Sequence, residues 1–455
     1  MEDKRYPNVG ARLDRLPTSS WHTEMWLVTA FALLVCWSNG IGGLVGARLI
    51  EISWISQDGL ATFSSLYTAG MLFGALIGGI IGDKIGRKRS ILLYEAIHIV
   101  SMVGAIICPS MSLLYIIRTV QGFGLGALLV VLFAGFTEYM PAVSRGTWSS
   151  RTSFIGNWAH PVSSTIATLI VSMGVAPELD WRLQFAIPSI LSLLATVLIF
   201  NKFPESPRWL ESQGRYEEAE KIISEIEARV EKQIGRKLPE VNPDLAVKAE
   251  NLPYSALFKG ELLKRVIIGS LVLIGMNVIQ YTLMNWLPTI FAAKGINTKD
   301  STLLNTVGLF GAPFGIFITS LIMDKLPRKV MGVGLLVIIG ALGIFYGQLE
   351  SLSSISIVGF ILFTFIYMYV CFASAVYVPE IWPTNAKLRG SGFCNAVGRA
   401  SGIVFPFIVN SVLTNFGPSA VFVLLSVVAA IIAIGIIFLG VETRGESVEE
   451  IGLQR

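Results

Sequence analysis

Apolar runs of about 18 to 25 residues recur along this chain, close to the length a helix needs to cross roughly 30 Å of hydrocarbon. Twelve can be read, at approximately 25–47, 60–82, 90–108, 111–137, 150–174, 183–203, 264–291, 300–323, 330–348, 354–378, 391–414 and 418–440. Packing twelve such helices inside a soluble protein would leave almost no solvated face. The composition agrees, since 15% of residues are charged against about a quarter in ordinary soluble domains. The fold class expected is an all-α membrane protein with twelve transmembrane helices, and its first partner is the lipid bilayer.

Basic residues near span ends stay in the cytoplasm. With the N-terminus placed there, only Arg48, Arg182, Lys294 and Lys299 of the 35 Lys and Arg fall in the opposite loops, while Arg118 and Arg399 lie within spans. Both termini are therefore expected to be cytoplasmic, in a cell inner membrane. The net charge of +4 reflects this topology, and no aromatic-basic patch supports a nucleic-acid partner. Residues 1–24 are polar and show no cleavable-signal pattern, so the first span is expected to remain. Cys36, Cys108, Cys371 and Cys394 lack metal-ligand spacing and read as packing residues. No metal site and no cofactor is expected.

The longest polar stretch, 204–262, splits the chain six spans and six. The expected organisation is a cytoplasmic N-terminal segment 1–24, a first half 25–203, a cytoplasmic helical linker 204–262, a second half 263–440 and a cytoplasmic tail 441–455. Within the linker, Ser206 can cap a helix that has Pro207 at its first position, and Gly214 can stop it. Ala219, Ile222, Ile223, Ile226 and Val230 then form one stripe at helical spacing.

Three motifs repeat in the same order. Asp83, Lys84, Arg87 and Lys88 in "GGIIGDKIGRKRS" return as Asp324, Lys325, Arg328 and Lys329 in "MDKLPRK". Glu138 and Arg145 in "EYMPAVSRG" return as Glu380 and Arg389 in "EIWPTNAKLRG", and Glu205 in "PESPRWL" returns as Glu442 in "VETRGES". Two related halves of six spans are the plan of a rocking secondary transporter. Gly78, Gly79 and Gly82 precede the first charge cluster and would let the second span lie close against a neighbour.

These motifs, with "RTVQGFGLGA" around Arg118, resemble the signature set of the major facilitator superfamily, sugar-porter branch, and the likeness runs over essentially the whole chain. The resemblance implies a carrier, not an enzyme, working by alternating access and functional as a monomer, with a small-molecule substrate and proton coupling in many members. It implies a cytoplasmic gate built from Asp83, Arg87, Glu138, Arg145 and Glu205, copied as Asp324, Arg328, Glu380, Arg389 and Glu442. The pairs would hold the cytoplasmic side shut and break when it opens.

Charges inside the bilayer cost about 2.5 to 3.5 kcal/mol each on insertion scales and are functional by default. They are few: Glu95 and Arg118 in the first half, Arg399 in the second, with His98 and His160 beside them. Proton-coupled relatives pair the arginine at Arg118 with an aspartate of the first span. Here that span has Asn39 and no acid, so either Glu95 carries a proton or transport is exchange or uniport. The seventh span also departs from the hexose-binding pattern, leaving Asn277, Gln280, Tyr281, Asn285 and Trp286. The tenth offers Tyr367, Tyr369 and Tyr377. Amides beside aromatic rings suit a small polar ligand. A sugar, polyol or sugar acid is the first expectation. An organic anion gripped by Arg118 and Arg399 is the second, and a non-transporting nutrient sensor of the same fold the third.

Overall fold

The structure, a computed structural model, describes residues 9–33, 41–141, 145–240, 254–322, 325–382 and 386–442. Every regular element among them is helical. In the first half and linker these are α1 (Val9–Asp14), α2 (Ser20–Ala32), α3 (Gly42–Glu51), α4 (Gln57–Ile85), α5 (Arg87–Ile106), α6 (Met111–Tyr139), α7 (Arg145–Ser172), α8 (Pro177–Lys202), α9 (Pro207–Ser212) and α10 (Tyr216–Ile234). The second half contributes α11 (Gly260–Ala293), α12 (Thr298–Leu309), α13 (Gly311–Ile322), α14 (Arg328–Gly347), α15 (Leu352–Cys371), α16 (Lys387–Phe416) and α17 (Pro418–Leu439). A π-helical turn, Phe372–Tyr377, extends α15.

Among the described residues ten helices are long and apolar enough to cross a bilayer. The other two expected spans have evident reasons to fall short. α7 is 28 residues long but its first nine residues, RGTWSSRTS, are mostly polar. α2 and α3 flank residues 34–40, which lie outside the described residues together with Asn39.

Contacts gather the chain into two compact units: Met1–Cys36, Gly70–Gly156 and Phe185–Lys248 form one, and Trp37–Ala69, Asn157–Gln184 and Ala249–Arg455 the other.

In the first unit, α4 and α6 touch backbone to backbone. A methyl group on Gly70 would meet Thr119 O at 2.1 Å, on Gly74 Phe123 O at 2.1 Å, and on Gly78 the Ala127 Cα at 2.6 Å. Glycines four apart thus carve one groove, the device by which membrane helices gain close packing without a hydrophobic driving force. Gly79 lies off that line, with Val130 no nearer than 3.7 Å.

The linker of this unit folds as its caps predict. The Ser206 hydroxyl accepts the Trp209 N–H at 3.2 Å, Pro207 opens α9, and Gly214 turns the chain at φ +73°. α10 buries Ala219, Ile223, Ile226 and Val230 and ends at Gly235 in the left-handed region. α1 is strapped onto it by charge. The Arg12 guanidinium forks onto Glu227 at 2.5 and 3.0 Å and reaches Glu220 at 2.6 Å. Arg15 joins Glu227 at 2.6 Å, and Arg208 holds Asp14 at 2.9 Å.

In the second unit α11 packs along α16 and α14 along α17. α3 lies so close to α11 that a methyl on Gly43 would sit 2.5 Å from Asn285 O.

Candidate functional site

Each half carries its own charge network, and the two repeat residue for residue at their centres. In the first, Glu205 accepts the N–H groups of Arg87 and Lys88 at 2.6 and 3.1 Å, so its carboxylate caps the start of α5. Arg87 bonds Glu138 at 2.9 Å and Asp83 at 2.7 Å. In the second, Glu442 accepts the N–H groups of Arg328 and Lys329 at 2.8 and 3.2 Å, and Arg328 forks onto Glu380 at 3.0 and 3.1 Å. A helix N-terminus carries about half a positive charge and unpaired donors, which is why an acid stands at both places.

The approach of Glu205 needs a residue without a side chain. Gly86 has φ +100°, and a methyl on it would lie 2.4 Å from Glu205 Oε2. Asp324 and the side chains of Arg145 and Arg389 lie outside the described residues.

The second unit holds a small cavity lined by Asn277, Tyr281, Asn285 and Trp286 of α11, with Ser64 and Thr68 of α4 and Phe405 and Pro406 of α16. Four of the five polar or aromatic candidates from the seventh span therefore converge. Asn277 and Asn285 each spend an amide N–H on the carbonyl one turn back, at 2.7 and 3.0 Å. Their oxygens are thereby oriented as acceptors. Trp286 is 1% exposed, and its indole N–H has no partner among the described residues. A buried donor left unpaired costs about 1–3 kcal/mol, so a donor held in that condition at a cavity wall is suited to a ligand. The free volume is about 10 Å³, room for roughly one water, so a metabolite requires these walls to part.

The remaining candidates lie elsewhere. Gln280 donates to the Tyr367 hydroxyl at 3.4 Å, and the His160 ring lies 6.1 Å from that tyrosine. Tyr369 donates to Val272 O at 3.1 Å. Tyr377 stacks on Phe372, and its hydroxyl accepts the Val441 N–H at 3.0 Å, beside Glu442 and away from the cavity. Arg399 is half-buried on α16. In the first unit, Glu95 and His98 are fully buried one turn apart on α5. Arg118 donates to Gln121 at 2.7 Å and lies over the Phe185 ring at 5.9 Å. Both Glu95 oxygens are buried without a hydrogen-bond partner among the described residues.

Sequence reasoning missed Ser64, Thr68 and Phe405. Only Pro406 carried a signal, because a proline inside a membrane helix frees a carbonyl where a cavity or a neighbouring helix must receive it.

A seal lies at the opposite end of this unit from Glu380 and Glu442. Asn410 donates to Asp58 at 2.5 Å, Thr414 to Gln57 at 3.2 Å, and Thr298 to Glu51 at 2.7 Å. Ser164 and Thr168 both meet the Thr306 hydroxyl at 2.7 Å. Behind Glu51, Arg48 is clamped between that acid and the buried Asp180, both at 2.5 Å. These contacts join the ends of α3, α4 and α7 to α12 and α16, with α8 tied to α3 through Asp180.

The comparisons with known proteins agree with this geometry. Residues 25–453 match the family described as "Sugar (and other) transporter". YdjK of Escherichia coli (strain K12) is 58% identical over 100% of this chain and 99% of its own. The inner membrane metabolite transport protein YdjE of the same strain is 40% identical over 98% and 99%. The xylose transporter XylE from E. coli, in a partially occluded inward-open conformation, superposes with a TM-score of 0.73 at 19% identity, covering 94% of this chain and 100% of that one. Ten apolar helices among the described residues, two copies of one charge network and this match along the whole chain have one reading: the protein has the fold of the XylE transporter and belongs to the sugar (and other) transporter family, a multi-pass inner-membrane secondary transporter of a metabolite and not an enzyme.

Proposed function

We propose that the substrate is a neutral polyhydroxylated metabolite, a sugar or a polyol. The observation that carries this is the chemistry of the cavity wall: two amides, four hydroxyl-bearing residues (Ser64, Thr68, Tyr281 and Thr282) and an indole, with no charged side chain among the lining residues. Hydroxyl groups donate and accept at once and match such a wall, while ring C–H faces suit Tyr281 and Trp286. A relative 24% identical is named a D-xylose transporter. The test is counterflow: purified protein in liposomes, preloaded in turn with neutral sugars, polyols and carboxylates, exchanging against a labelled trace. Exchange by carboxylates alone would overturn the reading.

The second reading, an organic anion held by Arg399, draws support from a niacin transporter 26% identical to this chain. Guanidinium binds carboxylate through two parallel hydrogen bonds. Under this reading Arg399→Lys weakens transport and Arg399→Ala nearly abolishes it. A neutral substrate carried normally by Arg399→Ala eliminates it.

In our reading both termini and the linker face the cytoplasm, the monomer is the working unit, and the two charge networks open and close the cytoplasmic side. A reporter fused near residue 230 and found outside the cell would refute that orientation. Glu95 is the proton carrier we assign, since it is a fully buried carboxyl with neither oxygen hydrogen-bonded among the described residues. Uptake that collapses with a protonophore while Glu95→Gln remains fully active would remove it from that role.

A further inference from the structure

We propose a binding site for the phosphodiester headgroup of an anionic phospholipid at the linker face of the first unit. A cavity of about 260 Å³ opens there, several times the roughly 30 Å³ that a water occupies in the liquid. Its walls come from α2, the start of α5, the end of α8 and α10. Three cations line it, Lys88, Lys202 and Arg229, against one carboxylate, Glu225.

The cations are not equally available. Lys202 and Arg229 both pair with Glu24, which lies just outside the lining. Lys88 has no ion pair among the described residues, and its Nζ lies 5.6 Å above the Phe200 ring. Glu205, the acid whose charge reaches Lys88, is already engaged by the backbone of α5. The site therefore presents one ammonium without an ion pair among the described residues and two more cations that share a single acid. That excess suits one negative charge.

The other half of the wall is apolar: Trp21, Phe203 and Ile226, all buried. It continues onto lipid-facing surface, because Phe200 and Val197 on the last turns of α8 are 64% and 51% exposed. An inorganic anion has no use for an apolar wall that runs out into the bilayer. A phospholipid does, since its phosphate meets the cations at the interface while its acyl chains follow α8 outward. Basic pockets between membrane helices are known to hold anionic headgroups by this division of labour. Bound there, the lipid ties α10 to three membrane helices and becomes part of the linker's anchorage.

The test uses the full chain in vesicles of phosphatidylcholine to which phosphatidylglycerol is added in steps, reading the thermal unfolding midpoint. The midpoint rises and saturates. Lys88→Gln raises the half-saturating phosphatidylglycerol fraction about fivefold, the equivalent of about 1 kcal/mol for one interfacial cation. Ile222→Trp fills the cavity without changing charge and removes the rise. Lys221→Gln, on the exposed side of α10, leaves it unchanged. Three results would each overturn the proposal: Lys88→Gln and Ile222→Trp titrating like the parent; Lys221→Gln weakening the response as much as Lys88→Gln; or inorganic phosphate added to phosphatidylcholine vesicles reproducing the full rise.

Discussion

Removing the amide of Asn410 tests whether the far-end seal controls access to the cavity. Its hydrogen bond to Asp58 is short, at 2.5 Å, and one partner is charged. A buried bond of that kind contributes about 1.5–3 kcal/mol. Asp58 is exposed, so solvent screening reduces the figure to about 1 kcal/mol. The Thr298–Glu51 bond at 2.7 Å is similarly exposed and adds a comparable amount. The state in which the far end is open has neither bond, so losing both shifts the equilibrium by about 2 kcal/mol, roughly thirtyfold. Thr68 lines the cavity and is 8% exposed, which makes Thr68→Cys a reporter in a background without native cysteines. A membrane-impermeant thiol reagent applied from the far side should label it about fivefold faster in Asn410→Ala. In Asn410→Ala/Thr298→Ala the increase should approach the full thirtyfold shift. Labelling at the parent rate in the double variant, with protein folded and inserted, would refute the reasoning.

Gly74→Ala forces a methyl against the Phe123 carbonyl and should cost about 1–3 kcal/mol of stability, whereas Gly79→Ala should be neutral; thermal unfolding in detergent separates them. Glu205→Gln and Glu442→Gln keep an acceptor but lose the charge at a helix start, so each should cost about 1 kcal/mol, and a large inequality would show that the two networks are not equivalent. Burial alone would raise the Glu227 pKa, but Arg12 and Arg15 together hold it below its ordinary value of 4.5. A depressed carboxylate stabilises the folded state at neutral pH and loses that contribution as pH falls below about 4.5 toward the folded value. Hydrogen exchange over residues 9–16 should therefore accelerate in that window, and in Arg12→Met it should already be fast at pH 7.

The parts of this protein written in one stretch of chain were legible in its sequence. Spans follow from composition alone, and the linker helices follow from Ser206, Pro207 and Gly214, whose effects are local. The network partners could be read because a repeat exposes them. Gly78 and Gly82 were read for their role in helix contact, but Gly79 was grouped with them although the close line against α6 is Gly70, Gly74, Gly78 and Gly82. The difference lies in rotation about the helix axis. A membrane helix is apolar all round, so no polar face marks which side meets a neighbour. The same cause hid Ser64 and Thr68, two small hydroxyls on an otherwise apolar helix. Asn410 and Asp58 are polar residues separated by more than 300 positions, and no local rule joins them.

The sequence positions of the first charge network set an order of assembly. Asp83, Arg87, Glu138 and Glu205 have all been synthesised when some 250 residues remain to be made. At about 5–20 residues per second that leaves on the order of 10 to 50 seconds in which the network can close before the C-terminus is released. The far-end seal must wait for Thr298, Asn410 and Thr414, and the last of these is made when only about 40 residues remain. Glu442, the acid that caps the second network, is made after every residue of the seal, so the two copies of one network, alike in structure, close at opposite ends of synthesis.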